Sequence, residues 1–128
     1  MARKVVHSDD APKAIGPYSQ AVQVDAGKLT FLSGQIPLDP KTMELVQGDV
    51  VAQAEQVMKN LSAVLQAAGL DFSHVARSTI FLTDLRDFAR VNEVYSRFFT
   101  GATPARVTVQ VAALPRGSQV EIDAIAVS

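Results

Sequence analysis

The sequence predicts a single α+β domain in which a mixed β-sheet carries two helices on one face. Three observations lead there. Two stretches repeat apolar residues at helical spacing on one side only, so each helix has a single face to bury. Short runs rich in Val, Ile and Thr alternate with them in the order β-ββ-α-β-α-ββ. Several of those runs are apolar on both sides, as strands covered on both faces would be. The chain of 128 residues is long enough to bury a core of its own and is read as one domain, residues 1–128.

Val5-Val6-His7 reads as the first strand, ending at the polar Ser8-Asp9-Asp10. A loop from Ala11 to Gly16 leads into Tyr18-Ser19-Gln20-Ala21-Val22-Gln23-Val24. Ala26-Gly27-Lys28 then turns the chain into Leu29-Thr30-Phe31-Leu32-Ser33, so residues 18–33 are expected to form a hairpin. Gly34 to Gly48, with Pro37 and Pro40, is expected to be a long surface loop. Asp49 suits the N-cap of the first helix, whose apolar positions are Val50, Ala54, Val57, Leu61, Val64 or Leu65, and Ala68. Gly69 stands where a C-terminal glycine belongs.

Val75 to Leu82 is strand-like. Asp84, with Asp87 three residues on, resembles a helix start, and Phe88, Val91, Tyr95 and Phe98 form the stripe of the second helix. The chain is expected to close on an antiparallel hairpin from about Ala105 to Val127, with the Pro- and Gly-bearing segment Ala113–Ser118 between its strands. In that hairpin Val107, Val109 and Val111 would claim the core face, as would Val120 and Ile122. Arg106, Thr108 and Gln110 would then share the other face with Glu121 and Asp123. Apolar residues on both sides of 75–82, together with Ile125 and Val127, imply that the face away from the helices is buried in another subunit, hence an oligomer.

Composition narrows the function classes. Hydrophobic residues at 48% and charged ones at 20% describe a globular protein, and a net charge of −1 offers nucleic acid no concentrated basic surface. The absence of cysteine removes disulfides, thiolate nucleophiles and cysteine-ligated metals. The N-terminal Met1 to Asp10 lacks the apolar run of a leader, and no stretch approaches the ~20 apolar residues that span a bilayer. A cytoplasmic location is the expectation.

Arg106, at a strand start directly after Pro104-Ala105, is the sharpest candidate. It reads either as half of a cross-strand ion pair or as a bidentate clamp for a substrate carboxylate. Glu121 is either an ordinary strand carboxylate or a group that orients a water. Ser33-Gly34-Gln35 is a turn, or a place where a ligand approaches bare backbone. Tyr18, beside the bend at Gly16-Pro17, and Asn92, one helical turn from Phe88 and Tyr95, read as structural or site-lining. His7 and His74 have no metal-ligand spacing around them, and no phosphate loop or nucleophile elbow is present.

Taken in order, Ala14-Ile15-Gly16-Pro17-Tyr18-Ser19-Gln20-Ala21, Ser33-Gly34-Gln35-Ile36-Pro37, Asp87-Phe88 with Asn92 and Tyr95, Pro104-Ala105-Arg106, and Val120 to Val127 closely resemble the reactive intermediate deaminase family, Rid (also called YjgF), and its RidA subgroup. The resemblance runs from about Ala11 to Val127. It implies a chorismate-mutase-like fold and a homotrimer with sites between subunits. It also implies hydrolysis of 2-imino acids such as 2-iminobutanoate and 2-iminopropanoate to 2-keto acids and ammonia, with neither metal nor cofactor. By the same resemblance Arg106, Glu121 and Tyr18 are the catalytic set, with Arg106 on the substrate carboxylate and Glu121 on the attacking water. Ser33, Gly34, Gln35, Asn92 and the backbone at Thr108 would contact the substrate. Three positions depart from the family pattern: Thr108 replaces a common Cys, Gln110 a common Glu, and Met43 a usual Gly. Other family names, such as endoribonuclease L-PSP and translation inhibitor, leave a second reading: a non-enzymatic module that binds small carboxylates in the same cleft.

Overall fold

The computed structural model describes residues 3–25 and 27–128. Ala26, first residue of the expected turn before Leu29, lies outside the described residues, as do Met1 and Ala2 of the stretch read for a leader. Six strands and two helices follow the predicted order: β1 (Arg3–Val6), β2 (Ala21–Val24), β3 (Leu29–Gln35), α1 (Val50–Ala67), β4 (Val75–Leu82), α2 (Phe88–Ser96), β5 (Ala105–Gln110) and β6 (Val120–Val127).

Local signals set most boundaries. The Asp49 side chain accepts the backbone N–H of Ala52 at 3.1 Å, which caps α1 where the sequence placed its start. Gly69 adopts φ +76°, a left-handed conformation that releases the chain from α1. Asp84 accepts from Arg86 N–H and opens a short 3-10 turn, Leu85–Asp87, that runs into α2. Met43 is left-handed as well, at φ +59°, so the turn where the resemblance leads one to expect Gly keeps a glycine-like backbone. In the 36–48 loop it lies opposite Asn60 of α1, which donates to the Leu38 carbonyl at 2.9 Å.

Strand pairing departs from the sequence expectation. Residues 18–33 are not a hairpin: β2 pairs antiparallel with β1 in a separate two-stranded sheet, while β3 pairs with β6. The main sheet has the order β3-β6-β4-β5, so β5 and β6 are not a hairpin either. β4 lies between them, parallel to β5 and antiparallel to β6. Burial explains the choice. From Ser78 to Leu82 and from Val120 to Ala126, β4 and β6 alternate buried and half-buried residues, which suits central strands. β5 puts Arg106, Thr108 and Gln110 on one side, which suits an edge where polar groups can reach partners. A Pro- and Gly-bearing segment sets a turn locally; it does not select the pairing partner.

The helices cover one face of the main sheet, as predicted. Val57, Met58, Leu61 and Leu65 of α1 and Val91 and Val94 of α2 pack over Ile80, Leu82, Val120 and Ile122. Tyr95 joins this core at 1% exposure and exchanges a 2.5 Å hydrogen bond with the Ser78 hydroxyl. Val107 and Val109 were expected on the core face but lie on the other one, 40% and 37% exposed, with Phe31 at 70% across the sheet. Alternation decides which residues share a face and leaves open which face the helices take. The predicted α1 stripe resolves at its ambiguous position: Leu65 is fully buried and Val64 is 40% exposed.

That pair gives a direct test of the packing. Leu65→Ala should cost about 2–5 kcal/mol by urea unfolding, and Val64→Ala no more than about 0.5 kcal/mol. Equal losses would contradict the helix orientation. The Tyr95 phenol gives a second test. Burial pushes its pKa up to about 12, opposed by the Ser78 hydrogen bond and by the nearby Arg106 and Arg3 charges. With a folded pKa above the unfolded one, its contribution is intact below about pH 10 and is lost as pH rises toward 12, at about 1.4 kcal/mol per pH unit. Unfolding free energies across that window should fall more steeply for the wild type than for Tyr95→Phe; parallel profiles would contradict the assignment.

Candidate functional site

Arg106 is the second residue of β5, and its row in the sheet fixes its direction. It pairs with Ser78, which pairs in turn with Ala124 of β6. Ser78 bonds the Tyr95 phenol of α2, so this row, Arg106 included, faces the helix layer. There Arg106 Nη1 donates to Asn92 Oδ1 at 2.8 Å. The guanidinium carbon lies 5.2 Å from the ring centre of Tyr95, 5.3 Å from Tyr18 and 5.7 Å from Phe88, within cation–π range of all three.

The 16–19 loop closes over this group from the outside. A Cβ on Gly16 would sit 3.6 Å from Arg106 Nη2 and 3.8 Å from Asn92 Nδ2, so the loop backbone rests directly on the pair. The Ser19 N–H donates to the Pro104 carbonyl at 3.1 Å, and the Ser19 hydroxyl donates to the Thr103 carbonyl at 2.5 Å. These bonds pin the loop to the residues that lead into β5. The Ile15 N–H donates to the Tyr18 hydroxyl at 3.4 Å.

Electrostatically, Arg106 is a half-buried cation without a carboxylate: no ion pair among the described residues includes it. Burial lowers its pKa, and the Tyr95 and Tyr18 phenols pull it back up. A guanidinium remains charged under such shifts. Asn92 orients its plane and leaves other N–H groups for a bidentate carboxylate.

A second cluster forms at the other side of the sheet. The β3–β6 register shifts between Leu32 and Gln35, and Gly34 lies in that irregularity. A Cβ on Gly34 would fall 2.1 Å from Glu121 Oε2 and 2.9 Å from its Cδ. The carboxylate therefore lies on bare backbone that only glycine permits. Ser33 is exposed beside it and Gln35 is half-buried.

Arg106 and Glu121 do not share a face, contrary to the sequence expectation. Glu121 aligns with Phe81 of β4, which aligns with Val109 of β5, and this row points away from the helices. Two strand spacings and three residues along the strand put the two Cα atoms roughly 14 Å apart. The expectation came from pairing β5 directly with β6; inserting β4 and assigning the valines to the open face reverses it. The cross-strand ion pair considered for Arg106 is absent, and Asp123 Oδ1 instead accepts the Thr79 N–H at 3.0 Å.

The structure thus gathers Arg106, Asn92 and Tyr18 into one cluster and Gly34 and Glu121 into another, with Ser33 next to Gly34 in the chain. Gln35, expected with them, aligns instead with Ile122 on the helix-facing side and lines a groove with Leu38, Met43 and Asn60. Thr108 lies two residues beyond Arg106 on the helix-facing side, in the row of Ile80 and Ile122. Its hydroxyl is buried without a hydrogen-bond partner. Sequence reasoning missed the cage around Arg106 made by Phe88, Tyr95 and the Gly16 backbone. Its signal was available: Phe88, Asn92 and Tyr95 fall at i, i+4 and i+7, on one helical face. Among the described residues no cluster of His, Asp or Glu could hold a metal ion.

Comparisons with known proteins identify the family. The model of the family described as Endoribonuclease L-PSP matches residues 8–128. The protein DfrA of Myxococcus xanthus is 84% identical, over 100% of this chain and 98% of its own. A mouse (Mus musculus) protein named 2-iminobutanoate/2-iminopropanoate deaminase is 56% identical, over 98% of this chain and 91% of its own. Among solved structures, TdcF of E. coli, crystallised with bound serine, superposes with a TM-score of 0.76 at 46% identity, covering 98% of each chain. With a family model spanning β2 to β6, both helices and both residue clusters, the chain belongs to the endoribonuclease L-PSP family, that is, the Rid (YjgF) family, and has its chorismate-mutase-like α+β fold.

Proposed function

We propose that the protein is a hydrolase of 2-imino acids and their enamine tautomers, releasing 2-keto acids and ammonia, with 2-iminobutanoate and 2-iminopropanoate as substrates. The observation that carries this reading is the Arg106 guanidinium: half-buried, oriented by Asn92, and without a carboxylate of its own. A protein holds such a charge at a desolvation cost, and a substrate carboxylate offsets it. The deaminase name of the mouse relative supports the reaction class.

The chemistry asks little else. The imine carbon is already electrophilic, so a water held near it adds directly. Protonation at nitrogen lets the carbinolamine collapse to keto acid and ammonia. Glu121 is the base that takes the water's proton, and the Tyr18 phenol, stacked on Arg106, lies where it can serve the departing nitrogen. The two clusters lie on opposite faces within one chain, so we place the complete site between copies. Arg106 of one subunit meets the Glu121–Gly34 cluster of the next in a homotrimer that buries the open sheet face with Phe31, Val107 and Val109. Exposed apolar residues on that face support such packing.

A second reading rests on a different observation: the related E. coli protein was crystallised with serine, an amino acid that carries the carboxylate but no imine. On that reading the cleft is a sensor for small carboxylates. RNA is a weaker candidate than either, because the net charge is −1.

Keto acid release from imine generated by threonine dehydratase separates these readings. Arg106→Ala should reduce kcat/KM at least about a hundredfold, the loss of a charge-assisted carboxylate clamp. Wild-type rates in that variant would sink the mechanism, and 2-ketobutanoate binding without hydrolysis by the wild type would favour the sensor. The shared site is tested by co-expressing Arg106→Ala with Glu121→Gln, each inactive alone. Random mixing should rebuild roughly a quarter of the sites if each takes its Arg and Glu from different subunits. No recovery in verified mixed oligomers would place both groups within one chain.

A further inference from the structure

A cleft outside both clusters carries its own chemistry. It has a volume of about 380 Å3 and lies where β1 meets the segment between α2 and β5, lined among others by Arg3, Phe72, Phe98, Phe99 and Gly101. That volume is within the range of small-molecule sites. Phe72 meets Phe98 edge-on at 5.6 Å and Phe99 at 5.3 Å, so the apolar wall is a connected aromatic cluster. Phe99 in turn packs on Tyr95 at 4.7 Å, which separates this cleft from the Arg106 cage.

The polar group in the cleft is Arg3. Its guanidinium donates to the Val75 and Ala102 carbonyls and forms no ion pair among the described residues. Two carbonyl dipoles hold the plane in place without neutralising the charge, and further N–H donors remain. Partial burial lowers its pKa, with the Tyr95 phenol opposing, the same situation as at Arg106. Asp71 also lines the cleft, but one of its oxygens accepts from both the backbone N–H and the hydroxyl of Ser73. That carboxylate caps the 3-10 turn Phe72–His74 and does not serve as the Arg3 counter-ion.

We propose that this cleft is a second ligand site, specific for a small monoanion with a flat apolar body, an aryl carboxylate in chemical class. The carboxylate takes the free N–H groups of Arg3, and the ring packs on the Phe72–Phe98–Phe99 cluster. The proposal does not depend on the imine reading of Arg106, which does not line this cleft.

Amide-detected NMR titration of the folded Arg106→Ala protein tests it, because that variant removes the guanidinium of the proposed imine site. Benzoate, benzamidine and acetate are compared. Benzoate should shift the Phe72, Ser73 and Gly101 amides saturably; acetate should bind there at least tenfold more weakly, lacking the ring. Benzamidine, of the same shape with a positive charge, should leave those amides unmoved. Arg3→Gln in the same background should weaken benzoate at least tenfold. Because Arg3 also ties two carbonyls together, Phe98→Leu provides a second variant, expected to weaken benzoate several-fold and leave acetate unchanged. Equal responses to benzoate and benzamidine, benzoate shifts confined to residues outside the cleft, or no saturable shift would each overturn the proposal.

Discussion

The Arg106 guanidinium, clamped between Asn92 and three aromatic rings, is the contact through which the edge strand, the second helix and the N-terminal loop become one unit. β5 brings the cation, α2 brings the Asn92 acceptor together with Phe88 and Tyr95, and the 16–19 loop brings Tyr18 and the Gly16 backbone. Together they hold a charge that burial disfavours, at a fixed orientation, with N–H groups to spare. Beneath it the Tyr95–Ser78 hydrogen bond ties the cage to the sheet, so movement of α2 would move the cage as well.

The second cluster is built on the opposite principle, removal of atoms. The irregularity in β3 brings Gly34 under Glu121, and the missing Cβ lets a carboxylate rest against main chain. Within one chain the cation cluster faces the helices and the carboxylate cluster faces away from them. The same sheet face that carries Glu121 also carries Phe31, Val107 and Val109 in the open. In the homotrimer we propose, completion of the site and burial of that face are a single event.

Much of the fold was legible along the chain. Asp49 and Gly69 bracket α1, and the strand-like run Val75–Leu82, apolar on both sides, marks β4 to the residue, because caps and strand preference are written in neighbouring residues. Candidate residues were legible as well: Arg106, Asn92, Tyr18, Gly34 and Glu121 all fall in one cluster or the other. What could not be read was the pairing. The Pro115–Gly117 turn looked like a hairpin, yet β4, far away in sequence, takes the place between β5 and β6. Strand neighbours are chosen by burial summed over the whole sheet, a quantity no local turn encodes.

The sequence by itself determined the elements, their order, and the sets of residues that share a side, because these follow from spacing and backbone preference within a few positions. Only the tertiary structure decided which side of each strand meets the helices, and so that Arg106 and Glu121 point away from one another. The physical reason is that alternation defines a parity with no sign. The sign is supplied when two faces compete for the same helices, and β5 yields its valines to the open face while Arg106 finds Asn92, Tyr95 and Tyr18 beneath α2.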